Sequence, residues 1–425
     1  MENQAKAVTA EDIKKHYDTL LDRPELHGLK LLLGINMFLL ITLIVMPQYF
    51  GVHIGYDITC SRFANILLTL YAILQYKVLN LFIKCFLNAS VTVPLMLYLF
   101  VAFYTMVLRA NINAFMLVFL EILTLYMLIF AIRYVIGIRR ALKIIIGCAY
   151  FLSVYGFVEF MAGHSLMLQF LSTVPNAVSN CYRSGFYRIM GPCGHPLGYG
   201  LLLILLIAIA CYDYDREAIY LYRRPVLLFM LLGNVFLTGS RSSQGVALIE
   251  VLVILIMSRG VNKRKTIAYT LIIISAFSAF LAMSFKTRIG NYLLMQITTL
   301  IDHVLGTEIS VNFGAEFPTE DGGIVYIHSI DNYYVLQYIK YAYPGLVSYV
   351  IFIFTGIITM FRKLFLNKSG LTKILLVGFA CYFINLWWVD SLQTLKFVYI
   401  FLALFFAEMF WQKDKNKAIN EIKSC

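Results

Sequence analysis

The chain has 425 residues, of which 60% are hydrophobic and only 14% are charged. Soluble globular proteins carry about 25% charged residues, so this composition excludes an ordinary soluble domain and predicts a helical membrane protein. The net charge of +12 would suggest a nucleic-acid partner in a soluble protein. Here membrane topology explains it, so we expect no nucleic acid.

The apolar runs predict an all-α polytopic membrane protein with about twelve transmembrane helices. Residues 1–28 are charged and amphipathic without the pattern of a signal peptide, so we expect a retained cytoplasmic segment. Residues 29–411 then form a transmembrane catalytic domain, and residues 412–425 form a cytoplasmic tail. The predicted spans are, in order, 31–46, 63–76 (with a tilted continuation towards 86), 91–108, 114–132, 144–161, 197–211, 226–237, 246–257, 267–283, 346–360, 374–389 and 398–410.

Two polar segments, 162–195 and 285–334, interrupt these spans. The second lies between the predicted helices 9 and 10 and has apolar residues at near-helical spacing. Since loops this long are usually functional or disordered, we expect it to fold as a lid over an outward-facing site.

Basic residues give the orientation of the predicted helices. With the N-terminus inside, they are about threefold enriched in the cytoplasmic segments, so both termini are predicted to be cytoplasmic. Four arginines lie on the outer side against this trend, which makes them candidates for a functional site: Arg183, Arg188, Arg241 and Arg288.

The first constellation of candidate residues precedes the sixth predicted helix. It contains Arg188 and His195, followed by Pro196 at a position that suits the first turn of a helix. The N-terminus of that helix favours an anion. The alternative is a loop with an ordinary helix cap.

The second constellation, residues 237–245, is a short turn rich in small hydroxyl residues with Arg241 at its centre. Arginine binds phosphate oxygens in a bidentate manner, and backbone N–H groups with the hydroxyls of Ser240 and Ser242 can complete the cradle. The alternative is an arginine that only extends to the membrane interface.

The third constellation joins the two ends of the large loop. Arg288 follows the ninth predicted helix, while His328 and Asp331 precede the tenth. A histidine or carboxylate near arginines can deprotonate or orient a sugar hydroxyl. The alternative for Asp331 is a helix cap, and one residue can do both.

Other polar residues rank lower. Acids inside membrane spans are functional candidates by default, but Glu121, Glu159, Glu250 and Glu408 share no obvious partner. A disulfide between Cys181 and Cys193 is left open. No Cys/His group has metal-ligand spacing and no nucleotide-binding motif occurs, so neither a metal nor a cofactor is expected.

The order of the three constellations resembles that of the Wzy-type polysaccharide polymerase and O-antigen ligase family. The resemblance covers most of the chain, and each motif is short and degenerate. Its motifs are Arg188…Gly191…Gly194-His195-Pro196, Thr238-Gly239-Ser240-Arg241-Ser242, and Asp331-Asn332-Tyr333-Tyr334…Gly345.

This resemblance implies metal-independent glycosyl transfer at the outer face of a bacterial cytoplasmic (inner) membrane. The donor would be an oligosaccharide on polyprenyl pyrophosphate, with a flippase and a chain-length regulator as candidate partners. By the same resemblance, Arg241 and Arg288 would hold the pyrophosphate, and His328 or Asp331 would serve the acceptor. Further substrate contacts would come from Arg183, Arg188, His195, Ser240, Ser242, Asn332 and Tyr333.

One departure from the family pattern favours a polymerase over a ligase. Family ligases carry a glycine at a set distance after their histidine, and here Lys340 stands near that spacing after His328. Two alternatives remain: a ligase that moves a finished glycan to another acceptor, and a non-enzymatic transporter of lipid-linked glycans. Transporters commonly contain internal repeats, and none is evident in this sequence.

Overall fold

The computed structural model describes residues 10–20, 23–47, 50–53, 57–110, 112–171, 181–183, 186–258, 316–318, 324–326, 332–367, 369–389 and 394–424. Over these ranges the chain is mostly helical. It divides into two compact units. Unit 1 comprises residues 1–148, 347–375 and 395–425, and unit 2 comprises residues 149–346 and 376–394.

Fourteen helices are described. They are α1 (Ala10–Leu20), α2 (Lys30–Val45), α3 (Cys60–Leu74), α4 (Tyr76–Asn88), α5 (Thr92–Arg109), α6 (Ile112–Phe130), α7 (Ile138–Ala162), α8 (Leu166–Leu171), α9 (Pro196–Ala210), α10 (Pro225–Leu237), α11 (Arg241–Met257), α12 (Tyr333–Asn367), α13 (Gly370–Asn385) and α14 (Leu395–Ser424). A π-helical turn, Ala131–Ile136, continues α6, and a 3-10 turn, Gly191–Cys193, precedes α9.

Four antiparallel strand pairs accompany the helices, and the all-α prediction did not include them. They are β1 (Gly51–His53) with β2 (Asp57–Thr59), β3 (Tyr182–Arg183) with β4 (Phe186–Tyr187), β5 (Tyr212–Asp213) with β6 (Ala218–Ile219), and β7 (Glu316–Pro318) with β8 (Ile324–Tyr326). Their registers pair Gly51 with Thr59, Tyr182 with Tyr187, Tyr212 with Ile219, and Glu316 with Tyr326. Strands this short are too brief for alternation of apolar and polar residues to reveal them.

Several helices are suited to a membrane. In the described part of the chain, five are long and apolar enough to cross one: Thr92–Arg109, Phe115–Ile136, Ile138–Ala162, Tyr333–Phe365 and Leu395–Glu421. They overlap the third, fourth, fifth, tenth and twelfth predicted spans. Shorter apolar helices overlap the first, sixth, seventh and eleventh: Lys30–Val45, Pro196–Ala210, Pro225–Leu237 and Gly370–Asn385. The ninth predicted span lies outside the described residues.

The second predicted span differs from the expected tilted helix. The structure breaks it at Gln75 into α3 and α4, whose axes are bent by 114°. Elsewhere in unit 1, α14 packs along α6 and also contacts α1. The buried Arg133 of the π-helical turn donates to Asp414 of α14 at 2.9 Å, which compensates its charge.

Unit 2 is built around α9. This helix is apolar on all sides and almost fully buried, as expected for a central helix. Its Tyr199 hydroxyl donates to the Leu152 carbonyl of α7 at 2.9 Å. The Asn234 amide of α10 donates to the Ser153 carbonyl at 2.9 Å. These bonds connect α7, α9 and α10 through groups that burial would otherwise leave unsatisfied.

Candidate functional site

The α10–α11 turn, residues 238–240, carries the second constellation. Gly239 has a φ of 61°, a left-handed conformation that lets the chain reverse tightly before α11. The Ser240 hydroxyl caps α11 by accepting from the Ser243 N–H at 3.4 Å. Because Ser240 is only 1% exposed and already bonded, its structural task is shown, while substrate contact by Ser240 stays a prediction.

Arg241 begins α11, with Ser242 following in the first helical turn. Both side chains are half-buried, so neither is sequestered from a ligand. The Ser242 hydroxyl lies 3.4 Å from that of Ser240. A guanidinium at a helix N-terminus adds to the partial positive charge of that end of the helix. This end of α11 therefore has the charge and the donors to bind an anion.

The Arg188 segment, residues 187–191, meets this turn directly. Arg188 is only 8% exposed, and its Nε donates to the Thr238 carbonyl at 2.7 Å. The adjacent Ile189 N–H donates to the Leu237 carbonyl at 3.3 Å. The structure thus brings the first and second constellations into contact.

His195 lies at the start of α9, and Gly200 is the position at which α9 meets α11. His195 is the N-cap of α9, where its Nδ1 accepts from the Leu197 N–H at 3.3 Å. One turn further, a Cβ added to Gly200 would lie 2.4 Å from the Ser243 hydroxyl, so the two helices need glycine here. His195 performs the capping task that the sequence offered as the alternative to function.

Glu159 is a residue of this site for which the sequence showed no partner. It lies near the end of α7 with no exposed surface. Its Oε1 accepts from the Tyr187 hydroxyl at 2.7 Å and the Met190 N–H at 2.8 Å, and its Oε2 accepts from the Gly191 N–H at 2.9 Å. The available signal was an acid inside a predicted span, but its partners lie about thirty residues away and follow no helical spacing.

Tyr187 and Gly191 shape the same segment. Burial raises the pKa of the Tyr187 phenol above its ordinary value, and the neighbouring Glu159 carboxylate raises it further. Gly191 has a φ of 53°, and a Cβ there would lie 2.6 Å from the Tyr199 ring. The phenol therefore stays a donor at neutral pH, and position 191 has room only for glycine.

The described chain resumes at Asn332, directly after Asp331 of the third constellation. Asn332 caps α12 by accepting from the Val335 N–H at 3.0 Å. The buried Tyr333 donates its N–H to the Leu386 carbonyl at 3.1 Å. On the same helix, the Tyr334 hydroxyl donates to the Phe383 carbonyl at 2.9 Å. The beginning of α12 is thus attached to the end of α13.

Asn385, the last residue of α13, links this region to the second constellation. Its amide donates to the Ser243 hydroxyl of α11 at 3.1 Å, and both side chains are buried. A continuous set of hydrogen bonds therefore runs from α12 through α13 to the capped end of α11. Just before this end, the Thr238 carbonyl accepts the hydrogen bond from Arg188.

Several predicted residues are not placed by the structure. Arg288, His328 and Asp331 lie outside the described residues, as does most of the predicted lid 285–334. Arg183 is described only through its backbone in β3. Their roles stay predictions.

The described cysteine, histidine and acidic side chains bear on a disulfide and on a metal site. Cys181 and Cys193 form no disulfide with each other, so the pairing that the sequence left open is absent. Within the described ranges, no three His, Cys, Asp or Glu side chains group as metal ligands would. The chemistry offered by the described site is that of arginines, hydroxyls and backbone N–H groups.

Comparison with known proteins adds no family. The sequence matches no protein-family model and no curated protein.

Proposed function

We propose that this chain is a polymerase that joins polyprenyl-pyrophosphate-linked oligosaccharide repeat units. The reaction takes place at the outer face of a bacterial cytoplasmic membrane. About twelve spans carry the site, with the segment 285–334 as an outward lid and both termini in the cytoplasm. The proposal rests on the sequence motifs and on the structural contact described above.

The observation that carries the proposal is the bond from Arg188 to the α10–α11 turn. It brings an arginine of the first constellation to the three-residue turn that precedes Arg241, although 50 residues separate the bonded pair in sequence. Two arginines beside a helix N-terminus suit a pyrophosphate, whose charge rises as it leaves. A sugar-binding surface alone has less need of this concentration of positive charge.

The transfer step uses this charge without a metal. An acceptor hydroxyl oxygen attacks the anomeric carbon of the donor, and the bond from that carbon to the pyrophosphate oxygen breaks. The polyprenyl pyrophosphate leaves with the bonding electrons, stabilised by Arg241 and Arg288. The hydroxyl proton passes to His328 or Asp331.

The test replaces Arg241 by alanine and by lysine in cells that make the polysaccharide. We expect Arg241→Ala to abolish the polymer ladder and to leave a single lipid-linked repeat unit, at a normal protein level. Lysine should rescue poorly, because it cannot bind two phosphate oxygens with the planar geometry of a guanidinium.

Arg216→Ala is the matched control, since the Arg216 side chain is 72% exposed in the β5–β6 hairpin and lies on the predicted cytoplasmic side. It should leave the ladder intact. An intact ladder in Arg241→Ala would rule out the proposed role of Arg241. Complete polymer that fails to reach its final acceptor would point instead to a ligase.

A further inference from the structure

Glu159 directs all its hydrogen bonds to one short segment. Its three donors are the Tyr187 hydroxyl and the N–H groups of Met190 and Gly191. Two of these donors belong to the main chain, so the carboxylate fixes backbone as well as a side chain. Both of its oxygens are used.

These donors lie on either side of Arg188. Tyr187 precedes it by one residue, and Met190 follows it by two. The Arg188 N–H itself donates to the Cys181 carbonyl at 2.9 Å. Tyr187, Arg188, Met190 and Gly191 are therefore each held by a hydrogen bond, and the Arg188 side chain among them has little freedom to leave the α10–α11 turn.

We propose that Glu159 is a positioning residue, which holds the Arg188 guanidinium against the α10–α11 turn so that Arg188 and Arg241 act together on one anionic substrate group. This inference rests on the proposed function, in which that group is the pyrophosphate. Glu159 itself touches no substrate. It acts through residues 187–191, and the family resemblance assigned no role to Glu159.

A purely structural role for Glu159 predicts a different outcome. In that case, loss of its hydrogen bonds would lower the amount of folded protein and leave each folded molecule fully active. A positioning role instead changes how well folded molecules bind the donor. The two roles are separated by measuring substrate affinity and segment exposure in protein that has folded.

The first measurement reports on the segment without any need for activity. Cys193 is a half-buried cysteine outside any described disulfide, just beyond the Arg188 segment. In purified protein in detergent, its rate of reaction with a maleimide is followed by peptide mass spectrometry. Glu159→Gln should speed the reaction severalfold, because the glutamine amide cannot accept the two N–H groups and the phenol as a carboxylate does.

The second measurement uses isolated membranes supplied with lipid-linked repeat unit extracted from Arg241→Ala cells. We expect Glu159→Gln to raise KM for this donor by about 10-fold or more, the effect of losing one to two buried hydrogen bonds to a charged group. Glu159→Asp keeps the carboxylate and should recover part of the loss. Glu250→Gln is the matched control, since Glu250 is an equally buried acid of the same unit, and it should change neither measurement.

The outcomes are distinct. Unchanged Cys193 reactivity and unchanged KM in Glu159→Gln would overturn the proposal. So would faster labelling with an unchanged KM, because the segment would then move without consequence for the substrate. If Glu159→Gln does not fold, Tyr187→Phe, which removes one donor and keeps the carboxylate, must show the same two changes at smaller size. Absence of a lipid-linked repeat unit in Arg241→Ala cells would instead refute the proposed function, while Cys193 labelling would still report on the segment.

Discussion

Glu159 and Glu250 are two fully buried acids of the same unit with opposite surroundings. Glu159 receives three hydrogen bonds from the Arg188 segment. Among the described residues, neither carboxyl oxygen of Glu250, midway along α11, has a hydrogen-bond partner. Both have 0% of their surface exposed. Burial of an acid in an apolar span is thus not by itself a sign of function. The hydrogen-bond donors around the acid distinguish the two cases.

The largest expected effect comes from replacing each acid by leucine. Glu159→Leu leaves a phenol and two N–H groups buried without an acceptor, at about 1–3 kcal/mol each, so several kcal/mol of unfolding free energy should be lost. Glu250→Leu leaves no described donor without its acceptor and removes an uncompensated polar group. The free energy of unfolding should therefore be unchanged or higher. Thermal unfolding of both variants in detergent measures this contrast. Equal losses would show that the hydrogen bonds of Glu159 do not distinguish the two sites.

A smaller effect is expected from the glycine that presents its N–H to Glu159. Gly191→Ala should cost about 1–3 kcal/mol, because its φ of 53° strains an alanine and the new Cβ would lie 2.6 Å from the Tyr199 ring. Gly147→Ala in α7 is the control, since among the described residues nothing beyond the helix's own backbone and the two chain neighbours lies within 4 Å of the added Cβ. That change should be neutral or stabilise by about 0.5–1 kcal/mol. A loss confined to Gly147→Ala would contradict the described packing of the segment.

The smallest effect is expected from Tyr187→Phe, which removes one of the three donors. We expect it to cost about 1 kcal/mol near neutral pH. The folded-state pKa of Tyr187 lies above its unfolded value, so the phenol contributes fully below about pH 10 and less as pH rises further. The difference in melting temperature between wild type and Tyr187→Phe should therefore be constant up to that pH and shrink above it. A difference that already shrinks near pH 8 would contradict a buried phenol.

The sequence predicted helices more successfully than the details of the site. Long apolar runs such as Thr92–Arg109 are easily recognised in the sequence, because a helix that spans lipid requires about 20 apolar residues in a row. The second predicted span ends at residue 76, next to the break at Gln75, but the sequence did not predict the 114° bend between α3 and α4. The short strands were missed as well, since two or three residues carry no period.

The first two constellations were identified from local chemistry, an arginine among glycines and hydroxyls. Their contact through Arg188 and Thr238 was not predictable, because it depends on how α7, α9 and α10 pack. The partners of Glu159 were not predictable for the same reason. They are set by tertiary structure and lie about thirty residues away, too far to be recognised from helical spacing.

The glycines facing Asn234 and Ser243 have a mechanical consequence. A Cβ on Gly156 would lie 1.7 Å from the Asn234 side chain, and one on Gly200 would lie 2.4 Å from the Ser243 hydroxyl. The Asn234 and Ser243 side chains thus occupy the space that these glycines leave on the neighbouring helices. The helices would have to separate before α7 could slide past α10, or α9 past α11. These contacts resist sliding of the paired helices, so larger movements are expected in the parts of unit 2 outside them.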